Sequence, residues 1–354
     1  MKQPVATLAL VPAFLALSPQ AERLTFGPEI GTVLEKEFSF ETSLVLDNMD
    51  MLLDGEPLPV PVDMEMSGNA NVEFSVTDIY SELEGDRLLK LTRTLDSLSV
   101  SNESVLSGSA LGEQVSQANG ESELTGKTVV FSREQDSDQV AVEFAEGSDG
   151  AEALLEDLHI EFDFRDLLPG DAVEVGSVWE VEPGDLIDVL APCGDLKISL
   201  SIDGQATGLT PGADPSTDLR SVLGEIEGSV EATFTGLREE GDRQFAVIAL
   251  AVDVEATKDL TEETRAAMSS VGEGLPEGSN VEVQSFDSEL TLEGEGELLW
   301  DVAGGHFRSF KLDVEMTSTI DAANSIGNGG PRSLQEMNIE TSGSMVFQAE
   351  ARRP

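Results

Sequence analysis

Apolar and polar residues alternate through most of this sequence. Phe38, Phe40, Thr42, Leu44 and Leu46 fall on one side of an extended chain. Val72, Phe74 and Val76 do the same, as do Leu196, Ile198, Leu200 and Ile202. Near the end, Met337, Ile339, Thr341, Met345 and Phe347 continue the rule. A period of two means strands with one face buried. Turn signals punctuate the runs at Asp54-Gly55, Gly85-Asp86, Asp203-Gly204, Gly241-Asp242 and Gly304-Gly305. Strands joined by such short turns are antiparallel. Helical signal is sparse: short helices are expected at Ala151–Leu158 with Asp149 as N-cap, at Thr261–Ser270, and at Leu219–Ile226. Ser101–Gly120, rich in Ser and Gly, reads as a loop, and Ala322–Arg332 as a second one. The expected class is all-β with minor helices.

The sequence also repeats itself. Glu29-Ile-Gly-Thr-Val-Leu-Glu35 parallels Glu174-Val-Gly-Ser-Val-Trp-Glu180, and Asp54-Gly55 parallels Asp203-Gly204. Glu84-Gly-Asp-Arg87 is identical to Glu240-Gly-Asp-Arg243, and Ser122-Glu-Leu-Thr125 to Ser288-Glu-Leu-Thr291. The four matches occur in the same order. Self-similarity over this length implies two similar domains in tandem, 25–169 and 170–354, each a curved antiparallel sheet, half-barrel or sandwich. The division falls at Leu168-Pro169-Gly170-Asp171.

Residues 1–21 have the order of a secretory signal peptide. Lys2 precedes an apolar stretch from Val5 to Leu17, followed by small residues at Ser18 and Ala21. The stretch is too short to span a bilayer well, and no later segment suits a membrane helix. An exported protein, periplasmic or extracellular, is expected. Cys193 is the lone cysteine, so no disulfide can form within the chain. The 69 acidic residues against 20 Lys and Arg give a formal charge of −49. Such a surface repels nucleic acid and anionic headgroups and attracts cations. It reads first as an adaptation to salt or for solubility.

Catalytic chemistry has little to draw on. There are two histidines, His159 and His306, at non-equivalent places in the two halves. No nucleophile elbow, phosphate-binding loop, dinucleotide-binding glycine pattern or zinc-protease motif occurs. Cys193 sits in a turn-like Ala-Pro-Cys-Gly-Asp with no nearby histidine to activate it. Carboxylate pairs suited to a hydrolase arise by chance among 69 acids, and only Tyr80, Trp179 and Trp300 offer large amphipathic rings. Calcium has candidate oxygen ligands in Asp47-Asn-Met-Asp50 with Asp54-Gly55, and in Asp136-Ser-Asp138, but neither has EF-hand spacing. No residue is assigned a catalytic, cofactor-binding or metal role. Two strands read as apolar on both faces, Ala246–Val252 and Leu298–Val302, and need cover on each side.

Val175-Gly-Ser-Val-Trp179, with Ile30-Gly-Thr-Val-Leu34 as a degenerate copy, resembles a segment that opens a curved antiparallel sheet in some exported bacterial β-proteins. A more distant, architectural likeness is to lipoprotein-carrier half-barrels. There a curved sheet holds acyl chains under a helical lid. No functional residue carries over from either resemblance. The leading expectation is a non-catalytic extracytoplasmic interaction or structural protein. The alternative is a carrier of an apolar, lipid-like ligand, and a carboxylate-dependent hydrolase comes third. Partners are open, with cations or an apolar small molecule among them.

Overall fold

The structure, a computed structural model, describes residues 21–58, 65–108, 112–134, 137, 139–161, 163–190, 193–203, 224–271, 279–328 and 332–354. The expected signal peptide, apart from Ala21, lies outside these residues, as do Asp136 and Asp138. The fold is all-β, as the alternation demands. Fourteen strands form one large antiparallel sheet, which is not closed into a barrel among the described residues. They are β1 (Val33–Leu53), β2 (Glu56–Pro57), β3 (Glu65–Glu84), β4 (Arg87–Gly108), β5 (Gly112–Ser122), β6 (Thr128–Arg133), β7 (Val140–Phe144), β8 (Val178–Val181), β9 (Ile198–Asp203), β10 (Glu225–Glu240), β11 (Arg243–Asp259), β12 (Ser279–Asp301), β13 (His306–Asn328) and β14 (Ser333–Arg352). Among the described residues two α-helices accompany them, α1 (Pro183–Leu190) and α2 (Thr261–Val271).

The main path runs β7-β6-β4-β3-β1-β14-β13-β12-β11-β10-β8. Strand β5 lies beside the later half of β4, and β9 beyond β5. The sheet is continuous across the expected division, because β1 pairs with β14 from Glu35↔Arg352 to Leu53↔Gln335. The two Gly-containing openings make the same turn. The Gly31 N–H donates to the Tyr80 carbonyl at 2.7 Å and Tyr80 N–H to the Thr32 carbonyl at 3.0 Å. Gly176 does the same to Phe234 at 2.7 Å, and Phe234 to Ser177 at 3.0 Å. Both glycines have φ near +90°, at 88° and 90°, which an L side chain seldom adopts. Gly85-Asp86 closes β3 onto β4, and Gly241-Asp242 closes β10 onto β11. On the side away from β10, β11 has one neighbour, β12; on the side away from β3, β4 has two shorter ones, β6 on its first half and β5 on its second.

Some local expectations are corrected. Most of Ser101–Gly120 is strand, not loop: Ser101–Gly108 belongs to β4 and Gly112–Gly120 to β5, paired antiparallel. Its serines and asparagines fall on the sheet's faces, where two-sided exposure tolerates polar residues that read as loop. Ala322–Asn328 likewise continues β13. The 151–158 helix shrinks to a 3₁₀ turn at Glu152–Leu155 whose N-cap is Ala151, without a side-chain cap. Ile226 belongs to a strand. The Thr261 helix is present as α2. Helix α1 is a helix the alternation did not announce; it buries Leu186, Ile187, Val189 and Leu190.

One face of the sheet carries the core. At the end where β1 and β4 begin and β14 finishes, that face is covered by the chain's own segments. Leu24 and Phe26, Leu158 to Leu167, α1, and Cys193 to Leu196 pack there in one apolar cluster. Phe164 stacks on Phe310 at 4.7 Å and meets Phe307 edge-on at 4.6 Å. The covering explains the run Ala246–Val252: Ala246, Ile248, Leu250 and Val252 are buried, whereas Val247 and Ala249 on the other face are half-exposed and Ala251 exposed. That run therefore needs cover on one side only.

Candidate functional site

On the core-facing register of three neighbouring strands, an ionisable residue replaces an aliphatic one. Lys36 follows Leu34 on β1, Asp78 follows Val76 on β3, and Arg93 follows Leu91 on β4. All three side chains are buried, with 1%, 0% and 1% exposure. Asp78 Oδ2 accepts from Lys36 Nζ at 2.8 Å and from Arg93 Nη2 at 3.0 Å. Its Oδ1 accepts from Arg93 Nε at 2.7 Å. Arg93 then reaches into the covering segment. Its Nη1 donates to the His159 carbonyl at 2.9 Å and lies 3.6 Å from Cys193 Sγ. The Lys36 ammonium lies 5.6 Å from the ring centres of both Tyr80 and Phe307. A second pair, Arg165 with Asp163, braces the same region, its guanidinium 3.7 Å from the Phe26 ring centre.

Burial taken alone would push Asp78 up, but Arg93 and Lys36 outweigh it and hold the carboxyl below its usual range. Burial would likewise lower Lys36, and Asp78 reverses the sign. Burial pushes the Tyr80 hydroxyl to about 12 and the Cys193 thiol to about 11. The cluster is thus fixed in one ionisation state around neutrality. Its geometry welds three strands to the covering segment; it offers no group poised to exchange a proton.

The residues singled out from sequence fall around this cluster without forming a reaction centre. Cys193 is 2% exposed, in a left-handed turn with φ of 68°. The structure brings it to His159, but the contact is between main chains: His159 N–H donates to the Cys193 carbonyl at 3.0 Å. His306 is buried next to Phe307, with Nδ1 2.7 Å from the Phe307 carbonyl, and burial lowers its pKa, keeping it neutral. Trp179 is half-buried and donates its indole N–H to the Leu167 carbonyl at 3.1 Å. Trp300 is fully buried; its indole nitrogen and His306 Nε2 have no hydrogen-bond partner among the described residues. Sequence reasoning missed Lys36, Asp78 and Arg93. Their signal was legible in principle, as charges standing on the apolar register of strands.

The calcium candidates do not gather into a loop. Asp47 lies at a bulge of β1, and Asn48 donates to Asp50 along the strand at 3.2 Å. Asp54 accepts from the Leu334 N–H at 2.9 Å. Among the described residues, no three His, Cys, Asp or Glu are grouped to hold a metal ion. Carboxylates instead form cross-strand rows on the outer face, the face away from the core. Asp287 of β12 lies opposite both Asp259 and Asp321, and Glu293 opposite both Asp253 and Glu315. Two grooves of about 920 and 470 Å³ share Asp321 on this face. A third, of about 580 Å³, crosses β14, β1, β3, β4 and β5 and is lined by serines and side-chain amides. No helix among the described residues is long and apolar enough to cross a membrane.

No protein-family model matches the chain, and no curated protein matches it. Among solved structures, it aligns with the outer membrane protein OprG from Pseudomonas aeruginosa over 92% of this chain and 99% of that one, at 8% identity and a TM-score of 0.24. An outer membrane channel from Pseudomonas putida F1 aligns over 90% and 97%, at 9% identity and 0.17. The outer membrane protease OmpT from Escherichia coli aligns over 92% and 99%, at 6% identity and 0.16. At these TM-scores the alignments carry no argument about fold or role.

Proposed function

We propose that the protein is a non-catalytic binding protein acting outside the cytoplasm, and that its ligand is apolar. One observation carries the reading. On β1, β14, β13 and β12, the core-facing side carries apolar rows beyond the segments that cover it. Met49, Ile339 and Ile320 stand in one cross-strand row, and Met51, Met337, Ala322 and Phe286 in the next. Met49, Met51, Ile320, Met337 and Phe286 are only half-buried. Apolar surface left half-exposed in register across several strands marks a binding face, and methionine adapts to ligands of varied shape. The buried, hydrogen-bonded Lys36–Asp78–Arg93 cluster supports the non-catalytic part. The recurrence of the Gly31 turn at Gly176 supports the division into 25–169 and 170–354 as two copies that share one sheet. Export and a periplasmic or extracellular setting remain part of the proposal, resting on residues 1–21.

The test is mass spectrometry of organic extracts from natively purified protein, with displacement of a fluorescent fatty-acid analogue as the solution assay. The expected result is a co-purifying amphiphile and saturable binding of the analogue. Met49→Glu with Met337→Glu should abolish that binding while leaving the melting temperature nearly unchanged. A clean extract together with no saturable binding would sink the apolar-ligand reading.

A further inference from the structure

The serine- and amide-lined groove on the outer face differs from the stretch of that face on β11, β12 and β13. There the face is paved with carboxylates, as in the Asp253–Glu293–Glu315 row. Across β1, β3, β4 and β5 the rows read Ser43, Asn69, Glu103, Gln117 and, one step along, Glu41, Asn71, Ser101, Asn119. These positions alternate with core-facing ones, so their side chains share the outer face. Two of the amides are held by carboxylates on the same face. Gln117 Nε2 donates to Glu103 Oε2 at 2.7 Å, and Asn71 Nδ2 to Glu73 Oε1 at 3.3 Å. One N–H of each is thereby engaged, which orients the amide and its carbonyl oxygen. Asn71 Oδ1 is buried and has no hydrogen-bond partner among the described residues. A buried acceptor without a donor is costly unless something supplies one.

We propose that this groove binds a neutral polysaccharide chain. Its oriented acceptors require donors, and its Asn69 and Asn119 side-chain amides, which have no hydrogen bond among the described residues, can with the serine hydroxyls donate as well as accept. A ligand with alternating donors and acceptors along its length meets that demand, and sugar hydroxyls are both. The strands lie about 4.8 Å apart, so the five that frame the groove present roughly 19 Å of repeating polar surface. That repeat suits a polymer of similar units. The protein's charge of −49 excludes nucleic acid and anionic polymers, and the rows carry too little apolar surface for a protein partner. With no aromatic ring among the lining residues, binding rests on hydrogen bonds alone. Each unit is held weakly, and retention grows with chain length.

Affinity electrophoresis of the full chain tests this, with gels containing hydroxyethyl cellulose, mannan or dextran, and alginate as the anionic control. At least one neutral polymer should retard the protein, and its short oligosaccharides should compete poorly. The double variant Asn71→Val, Asn119→Val replaces outer-face amides with a residue that strands favour, so it should fold normally by circular dichroism. It should lose the retardation at least severalfold. Migration unaffected by all three neutral polymers, retardation by alginate alone, or a variant retarded like the wild type would each overturn the proposal. Retention by the neutral polymer bears on this groove only; the fatty-acid assay above reads the opposite face.

Discussion

At Asp78 three strands and the covering segment meet through one carboxylate. Removing charges from water is expensive, and a buried ion pair gains its stability only if every partner stays in place. Asp78→Asn keeps the shape but removes the charge facing both Lys36 and Arg93, which are 1% exposed and cannot reach solvent. The expected loss is about 3–5 kcal/mol, read as a shift of the urea midpoint. Lys36→Met should cost clearly less, because Arg93 still grips both carboxylate oxygens. Equal effects from the two variants would mean the pair is not organised around Asp78. These residues also mark the limit of reading from sequence. The alternation places Lys36, Asp78 and Arg93 on the buried register, but which strands become neighbours decides whether three isolated charges become one ion-paired cluster. That β1 lies beside β3, and β3 beside β4, follows from the turns; that Cys193 and His159 close over Arg93 does not, because no periodicity ties a covering segment to its sheet.

At the level of the strand, the alternation around Phe38, Phe74, Ile198 and Met345 predicted β1, β3, β9 and β14 well, because a single buried face imposes a strict period. It failed where both faces are partly wet. Asn102, Ser104 and Ser116 stand half-buried on the core-facing register of the β4–β5 hairpin, beyond the covering segments, so no apolar period survives there to be read. Glycine in these strands has a specific cause where neighbouring strands come close, and most tightly at Gly343. A Cβ on Gly343 would lie 1.8 Å from the Ser43 carbonyl oxygen, a backbone atom that cannot swing aside. Strand β14 therefore approaches β1 more closely than any side chain allows, as a coiled sheet requires. Gly68, on the other side of β1 in the same cross-strand row, has nothing nearer than 4.0 Å. Gly343→Ala should destabilise by about 1–3 kcal/mol, whereas Gly68→Ala should be neutral or slightly stabilising. Thermal melts of the two variants side by side check the contrast; similar melting temperatures would remove the close-approach argument.

For the whole molecule, charge is the dominant unbalanced quantity, and the structure says where it acts. A sheet holds directly opposite residues about 5 Å apart, and like charges there are destabilising. The trios Asp259–Asp287–Asp321 and Asp253–Glu293–Glu315 are such contacts, repeated along long neighbouring strands. Several exposed pairs, such as Arg238 with Glu297 at 3.0 Å and Arg352 with Glu35 at 2.9 Å, relieve other rows but not these. Mobile cations screen the remainder over a Debye length of about 8 Å at physiological ionic strength. Melting temperature should therefore rise as NaCl is added to a low-salt buffer. Glu293→Gln should raise it at low salt and lose that advantage at high salt. Calcium would leave a different trace. Ions held at defined sites stabilise by mass action, so CaCl₂ at micromolar to millimolar levels would exceed the effect of NaCl at matched ionic strength. The carboxylate rows run along strands without gathering into a cage, so the expectation is that the two salts give matching curves at equal ionic strength. A calcium excess would mean the rows chelate. Indifference to both salts would mean the outer-face repulsion does not limit stability at all.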